Sequence, residues 1–143
     1  MKRTAVVALL ALAALAAVAV PSLAVLAGSD AIDANTFTTA TLDAASGLGA
    51  SASCNGLGTA KVSLSWTATP SGFADGYDVM RSLVNGGPYS EVAHVDGRTT
   101  TTYVNTGLLT NTTYYYVVVA TAGGWTSADS NQASATTPAI CLS

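Results

Sequence analysis

The sequence predicts an all-β fold, a two-layered antiparallel sandwich of seven short strands. Three observations lead there. From residue 44 onward no segment carries a helical period, and apolar and polar residues alternate instead. Turn residues recur about every 8–12 positions, the spacing of a sandwich built from short strands. From residue 44 onward the densest apolar run, Tyr114 to Ala122 (YYYVVVATA), lies between the polar Asn111-Thr112-Thr113 and Gly123-Gly124, which marks it as a strand.

Taken in chain order, Ser46–Ser53 supplies a short first strand. Lys61–Trp66 follows, with Val62, Leu64 and Trp66 on one face and serines on the other. Thr69-Pro70-Ser71-Gly72 is turn chemistry. Gly76–Ser82 places Tyr77 and Val79 on one face and Asp78 on the other. Asn85-Gly86-Gly87-Pro88 is the strongest turn in the chain, because Asn and Gly accept positive φ at little steric cost. Tyr89–Val95 and Thr101–Asn105 are two further strands, separated by Asp96-Gly97. In the central run, Tyr114, Tyr116, Val118 and Ala120 share one face, and Tyr115, Val117 and Val119 share the other. Ser127–Thr137 closes the set as one strand.

Gly107-Leu108, Thr112, Tyr114, Val118 and Ala120 together spell G-L-x-x-x-T-x-Y-x-x-x-V-x-A. This resembles the EF corner and F strand of a fibronectin type III domain. Trp66 matches that family's strand B tryptophan, Tyr77 and Val79 its strand C, and Tyr103 its strand E. Ser130-Asn131 and Thr136-Thr137-Pro138 resemble its last strand and exit. The resemblance covers residues 44–138 and implies a seven-stranded, immunoglobulin-like sandwich. Its core would include Trp66, Tyr77, Val79, Tyr103, Leu108, Tyr114, Tyr116 and Val118. Tyr114 would be the corner tyrosine, its hydroxyl bonded to backbone a few residues upstream. Tyr115, Val117 and Val119 would then sit on the outer side of the sheet, where three apolar side chains form a modest patch. Thr110 departs from the pattern, since proline is common there, and Thr does not pre-set φ.

The same resemblance bears on the two cysteines. Cys54 follows the first strand and Cys141 the last, which puts both at one pole of a type III sandwich. A Cys54–Cys141 disulfide is expected, tying the tail Pro138–Ser143 to the body.

The N-terminus reads as an export signal. Met1-Lys2-Arg3-Thr4 is basic, Ala5–Val20 is an unbroken apolar run, and Val25-Leu26-Ala27 fits a small-residue cleavage site. The predicted organisation is a helical signal peptide over 1–27, a flexible arm over 28–43, the sandwich over 44–138 and a tail over 139–143. The competing reading is a retained anchor, because Ala5–Ala27 is uncharged and about the 20 residues a membrane span needs. Pro21 and the lack of a following basic cluster favour cleavage. Asp30, Asn35-Thr36-Phe37 and Thr41-Leu42-Asp43 resemble the segment after the cleavage site in camelysin-like biofilm-matrix precursors, although Ala40 stands where glycine is usual. The alternative is a Thr/Ala-rich linker.

Charge narrows the function. Only 9% of residues are charged, and loss of Lys2 and Arg3 takes the formal net charge from −3 to −5. Nucleic acid, which needs clustered Lys and Arg, is not a partner expected here. His94 is the sole histidine and falls in a strand, with no Gly-x-Ser-x-Gly nucleophile elsewhere. Asp75-Gly76 and Asp96-Gly97 read as turn residues rather than paired catalytic carboxylates. Two cysteines and one distant histidine do not make a zinc set, and no Cys-x-x-Cys occurs. No cofactor is implied.

The expectation is therefore a secreted or cell-surface, non-catalytic adhesion or scaffold module that contacts an extracellular protein or cell-wall polymer. Trp125, after Gly123-Gly124 in a mobile F–G loop, is the candidate contact residue. The alternatives are a self-associating subunit of an extracellular fibre or biofilm matrix, and an accessory carbohydrate-associated module. A membrane would be touched only through an uncleaved N-terminus.

Overall fold

The computed structural model describes residues 40–142. The predicted signal peptide and the arm up to Thr39 lie outside these residues. The described chain forms eight strands: β1 (Ser46–Gly56), β2 (Thr59–Thr67), β3 (Gly76–Ser82), β4 (Ser90–Asp96), β5 (Thr102–Leu108), β6 (Thr113–Ala122), β7 (Trp125–Asp129) and β8 (Ala133–Thr136). One sheet runs β1-β2-β5. The other runs β4-β3-β6-β7, with β8 also paired to β6. All pairings are antiparallel.

Alternation along each strand builds the core. In β2, Ala60, Val62, Leu64 and Trp66 are buried while Ser63 and Ser65 face solvent. From the second sheet Tyr77, Val79, Tyr116, Val118 and Ala120 meet them, all fully buried. Leu108 and Tyr114 are also buried, and Tyr103, opposite Leu64, packs partly buried against the same cluster. At the corner before β6, the Leu109 N–H donates to the Tyr114 hydroxyl at 3.1 Å. The Arg81 guanidinium lies 5.2 Å from the centre of the Tyr114 ring, in reach of a cation–π contact.

The strand count is eight rather than the predicted seven, because the closing strand is broken. Between β7 and β8 the chain leaves the ladder to make side-chain bonds. Ser130 accepts the Val118 N–H on its hydroxyl, and its own N–H donates to the Val118 carbonyl. Asn131 then holds Leu48 of β1 from both sides, accepting its N–H and donating to its carbonyl, each at 2.9 Å. The break thus links the two sheets.

The expected outer patch on β6 also differs. Val117 and Val119 are buried, and Tyr115 is half-buried. A central strand has neighbours on both sides. The register sets Met80 opposite Val117, and Asp78 and Asp129 on either side of Val119. Their side chains shield what periodicity alone leaves exposed.

The body begins earlier than residue 44. Leu42 is buried, the Asp43 N–H donates to Ser71 Oγ, and Thr69 Oγ1 donates to the Asp43 carbonyl at 2.6 Å. Ala40–Asp43 therefore belong to the folded unit rather than to a flexible arm. At the other end Cys54 and Cys141 form a disulfide, with 5.4 Å between Cα atoms. The Gly58 N–H donates to the Cys141 carbonyl at 2.9 Å and holds the tail flat.

Tyr116 is fully buried, and its hydroxyl, beside the Asn105 side chain, makes no well-formed hydrogen bond within the protein. Burial pushes its phenol up to about 12, so it stays neutral near pH 7. Removing an unpaired buried hydroxyl relieves its desolvation cost. Tyr116→Phe should therefore leave stability unchanged or raise it by about 1 kcal/mol in urea denaturation. A loss of that size would show that the hydroxyl is solvated or bonded in solution.

Candidate functional site

The pole opposite the disulfide carries an open cleft of about 380 Å³. It forms where β3 begins, β4 ends and β6 turns into β7. Asp75, Asp78, His94, Asp96, Thr121 and Trp125 are among its walls.

Asp75 organises it. Its N–H donates to the Thr121 carbonyl at 2.9 Å, and its own carbonyl accepts the Gly97 N–H at 2.6 Å. Its carboxylate accepts the Thr121 hydroxyl at 2.8 Å and the Gly123 N–H. One residue thus ties the start of β3 to the β4–β5 turn and to the β6–β7 hairpin. The Gly123 N–H, and next the Thr121 hydroxyl, hold this carboxyl below the usual carboxylate range.

The hairpin itself is short. Ala122 pairs with Trp125, so Gly123-Gly124 is a two-residue turn, with Gly123 at φ 59°. Two-residue hairpin turns need positive φ, which glycine accepts without strain. Trp125 is therefore the first residue of β7 and not part of a mobile loop. Its side chain stays out of the core, 62% exposed, and walls the cleft.

His94 lies on the edge strand β4, opposite Asp78. Its Nδ1–H donates to Asp78 Oδ1 at 2.6 Å, and Nε2 is 3.4 Å from Asp96 Oδ1. The imidazole lies across Gly76, where a Cβ would come within 3.0 Å of Nε2 and 2.6 Å of the Val95 carbonyl oxygen. Only glycine leaves that space. The Asp78 hydrogen bond, with the charges of Asp78, Asp96 and Asp75 behind it, holds the imidazole above the usual histidine range.

Histidine oriented by a carboxylate also occurs in nucleophilic catalysis, but there the second nitrogen faces a hydroxyl or thiol. Here it faces Asp96. Among the described residues no group of His, Cys, Asp or Glu is arranged to hold a metal ion. What the cleft offers is negative charge beside an exposed aromatic face.

Asp75 lies just ahead of β3 and Asp96 is the last residue of β4, paired with Gly76, rather than in turns, and His94 lies on a sheet edge. Their convergence was missed, because it depends on pairing. The signal was the register that sets Asp78 opposite His94 and Gly76 opposite Asp96.

The model of the fibronectin type III domain matches residues 50–136, more than half of the chain. The chain belongs to the fibronectin type III family. Among solved structures, an Fn3-like protein from Clostridium thermocellum is 35% identical with a TM-score of 0.58, over 69% of this chain and 96% of that one. FN3tt is 24% identical with a TM-score of 0.54, over 70% and 99%. A β-1,2-glucanase from Parabacteroides distasonis matches at 24% identity and a TM-score of 0.50 over 71% of this chain, but only 14% of its own length. The last two likenesses speak for the fold alone. No curated protein matches. In the letters of a fibronectin type III domain, β2 is strand B, β3 strand C and β6 strand F, while β7 and β8 share strand G. The cleft therefore sits at the pole of the B–C and F–G connections.

Proposed function

We propose that this fibronectin type III domain is a secreted or cell-surface, non-catalytic adhesion or scaffold module, and that it makes extracellular contacts through the cleft beside Trp125. The exposed indole carries this reading. A tryptophan left 62% exposed at a rigid turn, beside a cleft, is a contact residue rather than a core residue. The Cys54–Cys141 disulfide supports an oxidising compartment. The committed hydrogen bonds of Asp75 and Asp78 support binding over catalysis.

The test pairs affinity with stability. Fluorescently labelled protein is incubated with envelope and extracellular-matrix fractions of the producing cells. Trp125→Ala should reduce retention about tenfold or more, with the melting temperature within about 2 °C of the parent. Equal retention of both proteins removes the cleft from the contact. A large fall in melting temperature makes Trp125 structural.

A further inference from the structure

We propose that the cleft takes a lysine or arginine side chain of a partner protein, its cationic head among the carboxylates of Asp75, Asp78 and Asp96 and its methylene stem against Trp125. This rests on the reading of the cleft as a contact site and names the chemistry it accepts. The cleft's volume suits one long side chain and the backbone that carries it, rather than a whole folded surface. Its walls include three carboxylates and no lysine or arginine, so an anionic group is repelled and a cationic one is attracted.

The three acids are not equivalent. Asp75 and Asp78 already accept bonds from Thr121, Gly123 and His94. The Asp96 side chain is fully exposed, and its one partner is the longer 3.4 Å contact to His94. Asp96 is therefore the carboxylate with acceptor capacity to spare. Beside it the indole supplies the best aromatic face for a cation, and an apolar wall for the stem. A neutral sugar gains no charge pairing from these three carboxylates, whereas a cation does.

His94 makes the site pH-sensitive. Its neighbours are Asp78 on β3, Asp96 at the end of β4 and Asp75 ahead of β3. When the imidazole takes a second proton, a positive charge sits inside the cleft and competes with the incoming cation. Its folded-state pKa is raised, so this competition begins above the usual histidine range and grows as pH falls.

The experiment is a titration of the ¹⁵N-labelled protein with tetralysine at low salt and pH 8. It is read on the Trp125 indole N–H, identified by its loss in Trp125→Phe, and on the backbone amides of Gly123 and Gly124, which line the cleft and remain in every variant. The expected result is a saturable shift that weakens about tenfold in Trp125→Ala and a few-fold in Asp96→Asn. It should also weaken in about 0.5 M salt. Affinity should fall between pH 8 and pH 5.5, and His94→Gln should flatten that dependence. Cellotetraose should leave the indole unmoved. No shift at low-millimolar tetralysine overturns the proposal, as does a shift with cellotetraose alone. If envelope retention still depends on Trp125 in either case, the contact role stands and only its chemistry fails.

Discussion

Replacing Cys54 and Cys141 together by serine should lower the unfolding free energy by about 4–5 kcal/mol. The bridge joins residues 87 positions apart, nearly the whole described domain. In the chain-entropy account, closing so long a loop restricts the unfolded ensemble far more than the native state. Domains of this size are stable by only about 5–15 kcal/mol, so the loss is about a third of the margin or more. Urea denaturation of the double variant, and of the parent with reductant, measures it. A loss under about 2 kcal/mol would mean that the reduced unfolded chain is already compact. The cleft lies at the opposite pole, so well below the melting temperature its affinity should be unchanged.

Tyr77→Ala carries the next largest effect, a loss of about 3–5 kcal/mol. Tyr77 is fully buried, and its ring meets Trp66 edge-on at 5.4 Å between centroids. Its hydroxyl accepts the Thr69 N–H at 3.0 Å and donates to the Arg98 carbonyl at 2.7 Å. Arg98 Nη1 returns to the Thr69 carbonyl at 3.1 Å. One phenol thus joins the β2–β3 and β4–β5 connections beneath the cleft. Tyr77→Phe keeps the ring and unpairs those two backbone groups, so it should cost about 1–3 kcal/mol. Chemical denaturation of both variants separates packing from hydrogen bonding. A Tyr77→Phe variant as stable as the parent would show that water replaces the hydroxyl and that packing carries the whole effect.

The fold was legible because its signals are local. The alternation of Val62, Leu64 and Trp66 with serines reports a strand and its buried face without any knowledge of neighbours. The interval from Gly107-Leu108 to Tyr114 carries the corner in a few residues. What depends on pairing was not legible. Ser127–Thr137 reads as one strand because nothing local says that Asn131 will bond to Leu48 far away in sequence. Val117 and Val119 read as outward and exposed because periodicity assigns a face but does not say what lies beside it. The cleft was hidden for the same reason. Asp75, Asp78, His94 and Asp96 are each unremarkable on their own segments, and only the β3–β4 register and the short Gly123-Gly124 turn bring them and Trp125 together.

The disulfide also decides how the domain bears load. Ala40 and Leu142 lie at opposite poles. A pull applied between them enters through β1, reaches Cys54 and crosses directly to Cys141. The chain between the two cysteines, roughly 300 Å if drawn straight at about 3.4 Å per residue, is bypassed and stays coiled under tension. Only the short run from Ala40 to Cys54 can pay out. A domain built this way lengthens little under load and keeps the cleft residues of β3, β4 and β6 off the line of force.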